Sequence, residues 1–278
     1  SSFWSVSCTD IRLNGARDRG AHMPRKQTPI AGSAIALGAM LSLAACGMVG
    51  GGWAGDLLGT RGDDEEARTV ERAAAADDGR RIIISIEQRR LWLADGSDTL
   101  LTAPVAVGRG ETFRYRGNTY RFRTPRGQRT VLRKKVDPVW RPPMWHYYEK
   151  AARRGLEAVQ LERGRSYELS DGTHLEIRGE DVGRVNRFGN FHPWTPGMEI
   201  VFDGKIFVPP FGTRQREVPN ALGPYALDMG DGYLIHGTWS GNRGSVGSAA
   251  SHGCVRMYNE DLEKLYAIVD VGTPVYIR

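Results

Sequence analysis

The chain has 278 residues, 40% hydrophobic and 25% charged, an ordinary globular composition with room for one large domain or one medium domain with extensions. About half of the formal charge of +6 lies before residue 46, so the remainder is nearly balanced, which argues against a nucleic-acid binder. The three cysteines, Cys8, Cys46 and Cys254, make no CxxC pair, no HExxH occurs, and the six histidines do not fall at metal-ligand spacing; zinc ribbon, dithiol and metallohydrolase readings lose their support.

In chain order, residues 1–22 show no periodicity and no caps, and are read as a non-native or mis-started extension. Met23 opens a second segment, in which Arg25 and Lys26 precede an uncharged apolar run over 30–45. That run is shorter than the roughly 20 residues needed to span a bilayer and suits the core of a signal peptide. It ends Leu43-Ala44-Ala45-Cys46, which resembles the lipobox of bacterial lipoproteins, where the cysteine becomes the lipidated first residue of the mature chain. The resemblance implies a signal peptide over 23–45, lipidation at Cys46, and an exported, membrane-anchored protein facing the periplasm or cell wall. Residues 46–79 are Gly-rich, then charged and Ala-rich; they predict a flexible tether, with a short helix over 64–76 as the alternative.

From residue 80 the pattern changes. Arg81-Ile82-Ile83-Ile84-Ser85-Ile86 is a β-branched run, Leu91-Trp92-Leu93 follows, and Asp95-Gly96 marks a tight turn. Residues 100–107 predict another strand, with Pro104 placing it at an edge or bulge. Short strands at 119–122 and 130–132 flank the turn Thr124-Pro125-Arg126-Gly127. Residues 109–154 carry fourteen Lys or Arg against three Asp or Glu, a surface suited either to solvent or to an anionic substrate. A helix is predicted over 148–161 and short strands over 169–177, 199–202 and 205–208. Trp140, Trp145 and Trp194 are candidates for one wall of a cleft, although tryptophans more often fill cores.

Asn259 is placed to cap a helix with Glu260 and Asp261 in its first turn; Leu262, Leu265, Tyr266 and Val269 make one apolar stripe. Pro274-Val275-Tyr276-Ile277 returns as a strand. The fold class is therefore mainly β with few helices: a β-sandwich or barrel with a short helix after the last cysteine.

The chemistry concentrates at Ser251-His252-Gly253-Cys254-Val255-Arg256-Met257, with Tyr233-Leu234-Ile235-His236-Gly237 upstream; fourteen residues lie between His236 and Ser251. A thiol is mostly protonated at neutral pH and becomes a nucleophile when an imidazole takes its proton. His236, at the end of a strand-like run, is the better base, and the Gly237 carbonyl is accessible to orient its ring. The backbone over 252–254 offers consecutive N–H groups for an oxyanion hole, with Gly253 permitting the turn. Arg256 adds a fixed positive charge able to hold a carboxylate, and Ser251 can fix the loop through a local hydrogen bond.

These residues resemble the signature of the L,D-transpeptidases with a YkuD-type catalytic domain. The resemblance covers most of 81–278 and includes the hairpin over 82–93, Thr124-Pro125-Arg126-Gly127, Asn220-Ala221-Leu222-Gly223, and the closing helix and strand over 262–277. It sets the catalytic domain at 80–278 and marks 144–218 as an insertion, here an α+β segment of unassigned role. It implies a cysteine-dependent acyl transfer on peptidoglycan stem tetrapeptides. Cys254 would be the nucleophile, His236 the base oriented by Gly237, and Gly253 with Cys254 the oxyanion donors; Ser251, His252 and Arg256 would shape the substrate pocket. The resemblance implies no cofactor and no metal, and inactivation by carbapenem-type inhibitors. The alternatives are hydrolysis of the same acyl-thioester, giving an L,D-carboxypeptidase or endopeptidase, and a non-catalytic murein-binding lipoprotein. A papain-like peptidase is disfavoured because the His precedes the Cys.

Overall fold

The computed structural model describes residues 54–278, with side chains from residue 62; the segment read as a signal peptide and the Cys46 lipidation site lie outside them. Helix α1 (Ala54–Ala76) occupies much of the stretch read as a tether. Its Ala-rich second half has the highest intrinsic helix propensity. Val70 and Ala74, four apart and so on one face, are buried against Tyr276 and Ile83. The Tyr276 hydroxyl donates to Asp77 at 2.9 Å and Arg278 pairs with Glu71. From residue 62 onward the helical alternative over 64–76 is the one found, and apolar contacts and two polar links dock this segment on the sheet.

The domain is built on two sheets. The first has five strands in the order Asp98–Pro104, Arg90–Asp95, Arg81–Ser85, Pro274–Ile277 and Gly127–Thr130. Ile82 and Ile84 face the interior whereas Ile83, between them, meets α1. Both faces of that strand are covered, which is why its sequence reads as an unbroken apolar run. The strand holding Pro104 is at the edge of this sheet, as its proline required, and the register shifts at Leu93/Ala94, near the turn end of the hairpin.

The second sheet has four strands in the order Val255–Arg256, Leu234–His236, Tyr225–Asp228 and Arg133–Val136. Leu227, Ile235 and Val255 share one core with Ile82, Ile84, Leu91 and Leu93, so the two sheets form the layers of a sandwich. Among the described residues the sheets stay open and no barrel closes. Helix α3 (Asn259–Ile268) follows, with Leu262 and Leu265 buried in the same core.

Residues 144–218, read from the sequence as an insertion, form an α+β segment with cores of its own. Helix α2 (Met144–Arg154) lies where a helix over 148–161 was expected, shifted toward the N-terminus. It starts after Pro143 and stops at Gly155, whose left-handed backbone (φ 65°) turns its N–H onto the Ala151 and Ala152 carbonyls. Glu157–Gln160 is then free to pair in parallel with Lys205–Val208. Tyr147 and Ala151 of α2 pack on Ala158, Ile206 and Val208 of this small sheet. A separate four-stranded sheet from Tyr167 to Pro193 has Leu175 and Val182 buried with Phe207.

Candidate active site

Strands Leu234–His236 and Val255–Arg256 pair in parallel, with Ile235 opposite Val255 and His236 opposite Arg256. Side chains alternate along a strand and cross-strand partners share a face. His236 and Arg256 therefore project to the same side, and Cys254 stands in the bend just before Val255. They line one cavity of about 170 Å³ together with Ser251 and His252. The structure thus brings together every side chain that the motif nominated.

His236 is 4% exposed, and its Nδ1 lies 2.6 Å from the Gly237 carbonyl oxygen. A carbonyl only accepts, so Nδ1 carries the proton and Nε2 keeps a lone pair. Burial, and next the Arg256 guanidinium, push the imidazole pKa down to about 3, against the opposing pull of the Gly237 and Leu222 carbonyls. At neutral pH the ring is an uncharged base.

Cys254 is 3% exposed. Its Sγ accepts the Leu234 N–H at 3.3 Å and lies 3.8 Å from the Gly232 carbonyl oxygen. The sulfur is in disulfide form in this structure; Cys8 and Cys46 lie outside the described residues. Nucleophilic chemistry therefore belongs to the reduced protein.

The Gly253 N–H donates to Ser251 Oγ at 3.1 Å, and the Ser251 hydroxyl donates to the Cys254 carbonyl at 2.6 Å. These two hydrogen bonds lock the loop, and Gly253 is its hinge. Its φ of 141° and the Arg123 carbonyl oxygen, 3.0 Å from where a Cβ would stand, demand glycine there.

Arg256 gives one N–H to Ser245 Oγ at 3.0 Å, and no carboxylate among the described residues pairs with it. Burial pushes its pKa down. A guanidinium kept in a cavity without an anionic partner is ready for a ligand carboxylate.

The Gly237 position is enforced by packing. A Cβ on Gly237 would run into Asn259 Oδ1 and stand 3.2 Å from the Gly223 Cα. Asn259 Oδ1 accepts the Thr238 N–H at 2.8 Å rather than capping α3, so the expected cap is corrected to a clamp on the His-Gly loop. Gly237→Ala is expected to cost about 1–3 kcal/mol by overpacking. It should slow acylation by roughly 100-fold, because it displaces the carbonyl that aims His236. Thermal denaturation and acylation rates check this; a variant with wild-type values in both would show that the close approach is unimportant.

Three further residues escaped the sequence reading. Thr124 is buried, donates to the Gly253 carbonyl at 2.9 Å and accepts the Gly108 N–H at 2.8 Å. Its Thr-Pro turn was visible, its grip on the catalytic loop was not. Trp239 is 54% exposed and lines the cavity mouth; its place two residues after Gly237 was an available signal. Glu149 hydrogen-bonds to His252 across 103 residues of sequence and gave no signal at all. Of the three tryptophans proposed as a wall, Trp140 and Trp145 line this cavity. Trp194 belongs to a different one, with Arg184 and His192.

A model of the YkuD-type L,D-transpeptidase catalytic domain matches residues 79–277. The chain belongs to this family. It is 33% identical over 140 residues to a probable L,D-transpeptidase ErfK/SrfK of Salmonella typhimurium, covering 45% of this chain and 44% of that one. It is 52% identical over 83 residues to the probable L,D-transpeptidase YbiS of Escherichia coli, covering 30% and 26%. The chain thus spans less than half the length of these relatives. Among solved structures, an L,D-transpeptidase from Xylanimonas cellulosilytica aligns with a TM-score of 0.38 and 16% identity over 73% of this chain and 62% of that one. L,D-transpeptidase 3 of Mycobacterium tuberculosis, solved with a faropenem-derived adduct, aligns with a TM-score of 0.36 and 17% identity over 72% and 60%. In this L,D-transpeptidase domain no group of three or more His, Cys, Asp or Glu residues suited to a metal occurs among the described residues.

Proposed function

We propose that the chain is a cysteine-dependent acyltransferase acting on peptidoglycan stem tetrapeptides. The observation that carries this reading is the shared cavity of Cys254, neutral His236 and the carboxylate-free Arg256. In the reduced protein, His236 Nε2 takes the thiol proton and the Cys254 thiolate attacks the carbonyl between the diamino acid and the terminal D-residue. The developing oxyanion meets the Cys254 N–H, next along the turn from the occupied Gly253 donor. His236 returns the proton to the leaving D-amino acid and an acyl-thioester is left. An amine of a second stem or of a protein then attacks the thioester, gives its proton to His236, and releases the thiol. Arg256 holds a substrate carboxylate bidentately. Trp140, Trp145 and Trp239 supply apolar walls around the acyl chain.

Export and lipid anchoring at Cys46 are part of the proposal and rest on the lipobox-like sequence alone. The reading is tested by incubating the reduced protein with tetrapeptide muropeptides and, separately, with a carbapenem. The expected results are cross-linked or amine-transferred product and a mass adduct on Cys254. Tripeptide without transfer product would move the assignment to L,D-carboxypeptidase, and no adduct with no product would end the catalytic reading.

A further inference from the structure

We infer that Glu149, on the inserted helix α2, is a positioning residue that fixes the ring orientation and tautomer of His252 beside the nucleophile; the inference rests on the acyl-transfer reading above. Glu149 is 8% exposed, and its Oε2 lies 2.7 Å from His252 Nε2. Trp145 is one helical turn earlier and so on the same face of α2. Its ring stacks on the same imidazole at 4.3 Å between centroids and 28° between planes. Phe122 closes the other side edge-on at 4.6 Å. A single turn of α2 therefore presents both a flat apolar face and a carboxylate to His252.

The other end of the clamp is Arg109. Its backbone N–H donates to the Ser251 carbonyl at 3.0 Å, its guanidinium lies 4.4 Å from the Phe122 ring centroid, and it pairs with Glu149 Oε1. Arg109 Nη1 is also 3.0 Å from His252 Nε2. A guanidinium only donates, so Nε2 serves either Arg109 as acceptor or Glu149 as donor. The carboxylate is closer and charged, and it is anchored by the other arm of the guanidinium, Nη2, which donates to Oε1. Nε2–H donating to Glu149 is the consistent assignment, which leaves Nδ1 as the ring's acceptor. Burial opposes ionisation of Glu149, but the hydrogen bonds from His252 and Arg109 and the Arg109 charge hold its pKa down to about 2, so it stays a carboxylate.

A buried ion pair is weak evidence for stability, because desolvation offsets most of the Coulomb gain; its best-attested use is to enforce one arrangement. The arrangement enforced here is that of the residue two before Cys254, on a wall of the catalytic cavity. The segment marked as an insertion by sequence thus reaches into the motif.

The test uses the full, reduced chain with 15N-labelled histidine, in wild-type, Glu149→Ala and Glu149→Gln forms. Wild-type His252 should show the Nε2–H tautomer by its ring-nitrogen shifts. In Glu149→Ala that preference should disappear and kcat for acyl transfer should fall about 10–100-fold, as for loss of a group that orients a functional histidine, with KM nearly unchanged. Glu149→Gln keeps an acceptor oxygen of about half the strength and should recover to within about fivefold of wild type. Unchanged tautomer in Glu149→Ala, or a Gln variant no better than Ala, would overturn the inference. If wild-type protein makes no acyl-enzyme, the functional reading has failed instead, and the tautomer comparison alone decides the role of Glu149.

Discussion

Replacing Cys254 with Ala is expected to reduce acyl transfer by at least about 10⁴-fold, the scale on which loss of a nucleophile acts when no neighbour substitutes for it. No other cysteine occurs between Cys46 and the C-terminus, so no second thiol stands in the described domain. Cys254→Ser keeps the shape and should be nearly as inactive, because a hydroxyl is far harder for a neutral imidazole to deprotonate. Neither change should prevent folding: the motif loop keeps its Ser251, Thr124 and Arg109 hydrogen bonds, none of which uses the sulfur. Product formation from tetrapeptide muropeptides and the carbapenem adduct mass are the readouts, with circular dichroism as the control for folding. A folded Cys254→Ala variant that retains a tenth of wild-type transfer would remove the cysteine from the mechanism. One that retains the biological role without chemistry would point to murein binding.

His236→Gln is expected to slow acylation by about 10³-fold, within the 10²–10⁴ range typical of a general acid–base residue. Glutamine keeps a hydrogen bond to the Gly237 carbonyl but has no lone pair of useful basicity. The same substitution has a second signature in stability. The folded pKa of His236 is about 3, below the ordinary histidine value of 6.5, so the native ring is neutral whereas the unfolded ring binds a proton in acid. Its contribution is therefore fully present above pH 6.5 and is lost as the pH falls toward 3, at up to about 1.4 kcal/mol per pH unit. His146, in the same cavity wall and likewise pushed down to about 3, chiefly by burial, then by Lys150 and His252, adds a parallel loss. Melting temperatures at neutral and mildly acidic pH should show a steep acid decline in the wild type and a shallower one in His236→Gln. Equal slopes in the two proteins would mean that His236 is charged in the native state and cannot act as the base.

Much of the domain was legible because its signals are local. An apolar run covered on both faces, a proline at a sheet edge and a 3.6-period stripe each depend on a few adjacent residues. The strands over 81–86, 91–93 and 205–208 and the helix of Leu262 and Leu265 accordingly fall where the pattern put them. The helix over 144–154 starts and stops earlier than its apolar pattern implies because two breakers bound it. Pro143 sets its start and Gly155 its end, and the residues after Gly155 pair with a strand 48 positions later in the register, Glu157 with Lys205. Docking of the segment before residue 80 has a related cause. A charged, Ala-rich segment carries helix propensity, but whether it docks depends on the face offered by Tyr276 and Ile83, which no local pattern contains.

The sequence by itself determined the chemistry available: one cysteine after residue 80, a histidine closing a strand, a glycine hinge and an arginine, at a spacing that belongs to the L,D-transpeptidase family. It also determined most of the strands that carry them, since alternation and turn residues act over a few positions. Only the tertiary structure decided how those groups are used. It spends the Gly253 N–H on Ser251, turns Asn259 from a helix cap into a clamp on the His-Gly loop, and places Glu149 and Trp145 of the inserted helix against His252. Each of these outcomes is a competition for hydrogen-bond partners or packing space between segments far apart in the chain. Such competitions are resolved by position in three dimensions, which residue type and spacing do not encode.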